Sequence, residues 1–267
     1  MKKWLIRLLK SLRLYKPAKI IKDYMAHYAP WNLRRRRALI AFYAQFVKEG
    51  DLCFDIGAHT GERTRIFREL GAKVICVEPQ RTCLRQLYQR FGNDPYVIIV
   101  DKAVGAQEGY AELAVCEEAP EISTMSRKWR EEGRFSREHE WPHSEQVVVT
   151  TLDALIQTYG VPAFCKIDVE GYEEAVLRGL TRPIPVISFE FVKEFLPEAK
   201  HCMDYLLSIG PVVFNACIND STQWLLPTWV TANILYETLL SIDNALLWGD
   251  IYARSQVMEP LSPISFS

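Results

Sequence analysis

Short runs of β-branched and apolar residues recur along the chain at 51–56 (DLCFDI), 73–78 (KVICVE), 96–100 (YVIIV), 163–169 (AFCKIDV), 185–191 (PVISFEF) and 211–218 (PVVFNACI). These runs predict strands covered on both faces, as in a parallel central sheet. Between them, 61–70, 80–91, 152–159, 172–180 and roughly 198–208 have helical patterning, and Gly71, Gly92, Gly160 and Gly210 stand just past four of these stretches as stop signals. Strands alternating with helices predict a doubly wound α/β layer with crossovers of one hand. Two segments break the rhythm. Residues 109–116 (GYAELAVC) and 146–150 (QVVVT) read as added strands, a hairpin in outline, and 117–145 between them is a polar excursion. Such long insertions in a compact domain are typically functional or mobile. The stretch 219–267, with Trp224, Trp229, Tyr236, Trp248 and Tyr252, reads as an irregular capping segment that ends in a frayed SPISFS.

At the other end, Trp4, Leu5, Leu8, Leu12 and Tyr15 recur at helical spacing over 3–15, with Lys3, Arg7, Lys10 and Arg13 elsewhere around the wheel. Two readings fit: residues 1–22 lie on an anionic membrane surface, or the helix packs on the body with a solvated basic face. Arg34 to Arg37 open a further helix and read as a solvated face. Charge sharpens this division. The first 37 residues hold twelve bases and one acid, leaving 20 bases and 32 acids in the other 230, so a basic arm (+11) is attached to an acidic body (−12). The expected organisation is a helical extension at 1–49, a body at 50–254 with 117–145 inserted, and a tail at 255–267.

With 49% apolar and 24% charged residues, the composition is that of a globular protein with one sizeable core, which excludes disordered and fibrous classes. No apolar run approaches the roughly 18–20 residues of a membrane-spanning helix. Basic residues interrupt what would be the apolar core of a secretory signal. Seven scattered cysteines without a CxxC read as reduced, small hydrophobic residues, which points to the cytoplasm, with the basic arm as a route to the inner face of a membrane.

The strongest chemical signal is DIGAHTG at 55–61. Glycines at the end of a first strand let backbone approach a ligand, at the sheet edge where ligands sit in such folds. The pattern is not GxGxxG. Asp55, Gly57 and Gly61 form acid-x-Gly-x-x-x-Gly, which suits a ligand with a cationic ammonium group, such as the methionine part of S-adenosylmethionine. The second strand ends in Glu78-Pro79, where a carboxylate can accept both hydroxyls of an adenosine ribose. Asp101, Lys102 and Ala103 follow the third strand, where adenine is expected, and Asp101 reads equally as an acceptor for its amino group or as a turn acid. In KIDVEGYE, strand alternation would put Lys166, Asp168 and Glu170 on one side, a costly grouping unless paired or functional. Glu190 joins them if the fourth and fifth strands are neighbours. Asp168, Glu170 and Glu190 then suit either a divalent cation or general-base work on a substrate hydroxyl. His139, His143 and His201 are further base candidates, read mainly as solvated loop side chains.

The ordered set DIGAHTG, VEP, AVG, TLDALI, KIDVEGYEEAVLRGL and ISFEF, with a late WGDIYA at 248–253, resembles the FkbM family of S-adenosylmethionine-dependent methyltransferases. The resemblance covers about 50–192, and less firmly the tail to 254. It implies a class I methyltransferase fold, Rossmann-like, with a seven-stranded mostly parallel sheet and helices on both faces. It also implies O-methylation as the usual reaction, on acceptors from sugars and glycolipids to polyketides. By the same resemblance Asp55, Gly57 and Gly61 form the methionine and backbone contact, with Ala58 between them, and Glu78, followed by Pro79, binds the ribose; His59 reads either as a cofactor contact or as a tolerated loop side chain. Asp168 with Glu170 lines the methyl-transfer edge. Residues 1–49 and 117–145 match no shared pattern and are where acceptor choice is expected to rest.

Two other classes fit less well. Enzymes that methylate exocyclic base amines carry an Asn/Asp-Pro-Pro-aromatic turn after the fourth strand; DVEG stands there, and Asn93-Asp94-Pro95-Tyr96 lies before the third. A nucleic-acid partner also disagrees with a catalytic body of net charge −12. A non-catalytic binding protein with a degenerate site disagrees with intact Asp55, Gly57, Gly61, Glu78 and KIDVEG. The expected partner is a small-molecule or glycan acceptor.

Overall fold

A computed structural model describes residues 30–219 and 221–257, apart from the side chains of residues 30–32. The helix expected over 3–15 and the frayed SPISFS lie outside the described residues. In chain order the elements are α1 (Pro30–Tyr43), β1 (Leu52–Ile56), α2 (Glu62–Glu69), β2 (Lys73–Val77), α3 (Arg81–Phe91), β3 (Val97–Val100), β4 (Ala103–Val104) and β5 (Gly109–Val115). There follow α4 (Arg127–Glu132), β6 (His143–Thr150), α5 (Leu152–Tyr159), β7 (Phe164–Ile167), α6 (Glu173–Leu177), β8 (Val186–Val192), α7 (Leu196–Ile209), β9 (Val212–Ile218), α8 (Ala232–Ser241) and β10 (Trp248–Ser255).

Seven strands form one sheet in the order β3-β2-β1-β7-β8-β10-β9. All neighbouring pairs are parallel except those of β10, which runs antiparallel to both β8 and β9. This is the class I methyltransferase layout. Each of the six strands predicted from apolar runs is present, shifted at its ends by at most two residues. The expected hairpin is an antiparallel β5–β6 pair joined by β4 into a second, three-stranded sheet. The stretch from 219 is not irregular throughout: it supplies α8 and β10, and β10 inserts into the central sheet.

A boundary at 49/50 cuts through the core. Leu39, Phe42, Tyr43 and Val47 are buried against Phe67, Phe164 and Tyr252. Tyr43 meets Phe67 and Phe164 edge-on at 5.2 and 5.4 Å, and Phe42 meets Tyr252 at 5.4 Å. Burying such a side chain contributes about 1.5–3 kcal/mol, which ties α1 to the body. The four arginines instead lie on its outer side, where Arg36 makes a two-pronged ion pair with Glu69. The excursion at 117–145 is likewise anchored: Ile122, Thr124 and Trp129 are buried, and Thr124 pairs with Ala114 of β5.

Candidate active site

The carboxyl ends of β1, β2, β7 and β8 meet at two adjoining cavities. The first is walled by Val77, Pro79, Ala103, Val104, Leu113 and Met125, with His59, Glu78 and Lys102 on one side and Asp168 and Glu170 on another. Glu78 is buried just past β2. Its Oε2 accepts the His59 amide at 2.8 Å and its Oε1 the Gln80 amide at 2.8 Å. Burial pushes its carboxyl up to about 7, against those two hydrogen bonds. Burial also lowers the pKa of His59, whose backbone is held at φ 49°.

Only part of the DIGAHTG motif faces this cavity. Gly57 and His59 line it; Asp55, Ala58 and Gly61 do not. Asp55 is buried in β1, where it accepts a 2.6 Å hydrogen bond from Thr64 Oγ1 on α2, and burial raises its pKa. It ties the helix to the strand. The glycines have internal reasons too. A Cβ on Gly57 (φ 75°) would stand 1.8 Å from the Asp168 carbonyl oxygen, so glycine lets the ends of β1 and β7 touch. One on Gly61 would meet the Phe91 ring at 2.4 Å, so this glycine lets α2 pack against α3. After β3, Lys102 and Ala103 line the cavity, whereas Asp101 is exposed outside it.

The acids of KIDVEG come together, but not by strand alternation. β7 ends at Ile167, and the chain turns through Glu170 (φ 54°) and Gly171 (φ 84°). Thr124 Oγ1 from the excursion donates to the Glu170 carbonyl at 2.7 Å and holds this turn. Beyond it, Glu173 Oε1 accepts the Val169 and Gly171 amides at 3.1 and 3.3 Å, and burial lifts its carboxyl to about 7. β8 pairs with β7 in parallel, as the grouping of Glu190 requires, and Asp168, Glu170 and Glu190 each offer an oxygen within 4.8 Å of the others. Burial, then the charge of Asp168, pushes the Glu170 and Glu190 carboxyls well above the usual carboxylate range. In spacing and donor type, this oxygen set also fits a hard divalent cation.

Lys166 lies below this group, 1% exposed, with Nζ at 3.0 Å from Asp168 Oδ2 and 2.8 Å from Asp250 Oδ1. Asp250 sits on β10, two strands away, and Lys166 reaches it past Ser188, its small register partner on β8. Asp250 was not singled out from the sequence, although an acid inside the apolar WGDIYA run was a usable signal. Arg63, largely buried, also feels Asp250 and Asp168, and its pKa is raised by Tyr43 and these acids against desolvation. His139, His143 and His201 line neither cavity. The second cavity, about 260 Å³, lies between α6 and α7 and has Glu190 in its wall.

Residues 55–212 match the family described as the methyltransferase FkbM domain. The chain belongs to the FkbM methyltransferase family. It is an S-adenosylmethionine-dependent methyltransferase. No match was found among curated proteins. Among solved structures, similar chains include the precorrin-6y C5,15-methyltransferase of Geobacter metallireducens, with 10% identity, coverage of 82% of this chain and 86% of that one, and a TM-score of 0.45. An rRNA methylase of Streptococcus thermophilus (11% identity, 81% and 93% coverage, TM-score 0.39) is another. A third is the fibrillarin of Aeropyrum pernix with bound S-adenosyl-L-methionine (12%, 82% and 76%, TM-score 0.40).

The first cavity fits that donor. Glu78 would hold the ribose hydroxyls, the Val77–Pro79 and Ala103–Leu113 walls an adenine ring, and Asp168 with Glu170 the cationic end. Within this FkbM methyltransferase Asp55, Gly61 and Asp101 stand outside the lining of that cavity. Among the described residues no helix is long and apolar enough to cross a membrane.

Proposed function

We propose that this methyltransferase methylates a hydroxyl oxygen on a small molecule, be it a sugar or glycan, a glycolipid or another natural product. The observation that carries this is the carboxylate trio at the junction of the two cavities. Bound S-adenosylmethionine supplies an electrophilic methyl group, so the protein's tasks are placement of the acceptor oxygen and removal of its proton. A hydroxyl placed at the trio gives its proton to one of these carboxylates. Lys166, fixed by Asp250, orients Asp168 beside them. Three acids at the transfer point, on a body of net charge −12, disfavour a polyphosphate acceptor. The same oxygens have the donor set to hold a divalent cation, which would lower the pKa of a bound hydroxyl instead.

The test is transfer of a radiolabelled methyl group to panels of glycosides, phenols, lipid-linked sugars, amines and RNA, with magnesium and with a chelator. Label recovered as an alkali-stable ether is the expected result. Label confined to amines or RNA overturns the reading, and the chelator arm separates base from cation.

A further inference from the structure

We propose that the cavity between α6 and α7 is the acceptor pocket, and that it takes a neutral hydroxyl compound with an apolar, ring-sized body in preference to a free sugar. This rests on the reading above and narrows it. The two cavities share a partition. Residues 123–125 and 168–170 face the first, Ser126, Lys128, Trp129 and residues 171–175 face the second, and Glu190 in the wall of the second belongs to the acid trio. A hydroxyl seated in the second cavity therefore meets Glu190, whose carboxylate stands within 4.8 Å of Asp168 and Glu170 on the border of the first.

The wall is built from Trp129, Tyr172, Phe191, Phe195, Ala199 and Cys202. Its volume of about 260 Å³ lies just below the roughly 300–1,000 Å³ of pockets for drug-sized ligands, which suits a compact, ring-sized body. The charges at its mouth are already paired: Lys128 with Glu198, and Arg178 with Glu174 at 2.6 Å. An anionic acceptor would have to break one of those pairs.

Trp129 and Glu198 fix the shape of this wall: Trp129 is 3% exposed and packs over Gly171, and Glu198 is held by Lys128. A largely apolar concave wall whose charges are paired at the rim suits a ligand with few polar atoms on an apolar frame.

The transfer balances without a further reagent. The S–methyl bond of the donor breaks, an O–methyl bond to the acceptor forms, and the hydroxyl proton passes to the trio, with Glu190 nearest the acceptor side.

Saturation-transfer NMR on the full chain loaded with S-adenosylhomocysteine tests the pocket, with 4-ethylphenol and methyl α-glucopyranoside as probes. The phenol should bind, the glucoside should bind at least tenfold more weakly, and Ala199→Phe, which fills the pocket, should abolish the phenol signal. Trp129→Phe keeps an aromatic wall and should retain the phenol signal. Calorimetry should give both variants the wild-type affinity for S-adenosylhomocysteine, within about twofold, which also shows that they fold. Phenol binding that survives Ala199→Phe, or a glucoside that binds as well as the phenol, overturns the proposal. Loss of S-adenosylhomocysteine binding in the wild type would instead overturn the donor site and is read separately from the probe signals.

Discussion

Glu78 offers a sharp test of the donor site, because its carboxyl sits near neutrality. With a pKa of about 7 in the free protein, it is half protonated at pH 7. A ribose diol donates to the carboxylate, so the proton competes with the ligand. The apparent Kd is multiplied by 1 + 10^(pKa − pH), which is about 1.1 at pH 8, about 2 at pH 7 and about 11 at pH 6. Affinity for S-adenosylhomocysteine should fall roughly tenfold from pH 8 to pH 6, about 1.4 kcal/mol. An ordinary carboxyl near ~4.3 would change almost nothing over that range. Glu78→Gln removes the charge, and its amide nitrogen must face one of the two backbone N–H groups that Glu78 now accepts. Each lost charge-assisted bond is worth about 1.5–3 kcal/mol, so binding at pH 8 should weaken by at least about tenfold and the Glu78 share of the pH slope should vanish. Isothermal titration in buffers of different ionisation enthalpy reads both effects and the protons released at pH 6. Glu173→Gln is the control: its carboxyl also lies at about 7, but it does not line the first cavity, so the slope should remain. A flat Kd in the wild type, or an unchanged slope in Glu78→Gln, would sink the assignment of Glu78 to the ribose.

Four further outcomes follow from the same geometry. Glu78 and Glu173 have folded pKa values raised to about 7. The native state thus holds protons that the unfolded chain has lost above pH ~4.3, and stability of the ligand-free protein should fall as pH rises from 5 to 8. Glu78 alone accounts for about 3 kcal/mol, with His59, its pKa lowered, giving a smaller opposite trend; a Tm that climbs across this range in a thermal scan contradicts the burial argument. Lys166→Met leaves Asp168 and Asp250 without their buried cation and should cost about 3–5 kcal/mol by urea unfolding; a loss below about 1 kcal/mol would show that Arg63 suffices. Gly57→Ala, with its Cβ on the Asp168 carbonyl, should yield insoluble or donor-blind protein, whereas Gly50→Ala, in open space at φ 85°, should cost only about 1–2 kcal/mol. Removing residues 1–22 should abolish sedimentation with anionic vesicles, and unchanged sedimentation would remove the membrane reading of the basic arm.

The six parallel-sheet strands were legible because a strand buried on both faces has to be apolar along its length, and few other elements are. β10 was not, since its place between β8 and β9 depends on a long-range antiparallel return that no local pattern encodes. The acids were legible for the opposite reason. Charge inside an apolar run is expensive, so Lys166, Asp168, Glu170 and Glu190 called for an explanation from spacing alone. The spacing argument nevertheless reached the right cluster by the wrong geometry: β7 ends at Ile167, and the positive φ at Glu170 and Gly171 shows that a turn, not pleat alternation, gathers the carboxylates. Asp55 and Gly61 show the converse, a motif whose residues serve helix packing as much as ligand contact. The second cavity was invisible for a further reason. Its wall draws on residues 126–129, 171–178 and 190–202, three segments whose Trp, Phe and Ala each read as ordinary core. What separates a pocket wall from core is the absence of a neighbour, and that is a property of three segments together. The polar excursion at 117–145 illustrates the point: its charged composition suggested an exposed loop, yet Thr124 holds the Glu170 turn and Trp129 packs over Gly171, so this segment shapes both cavities at their shared partition.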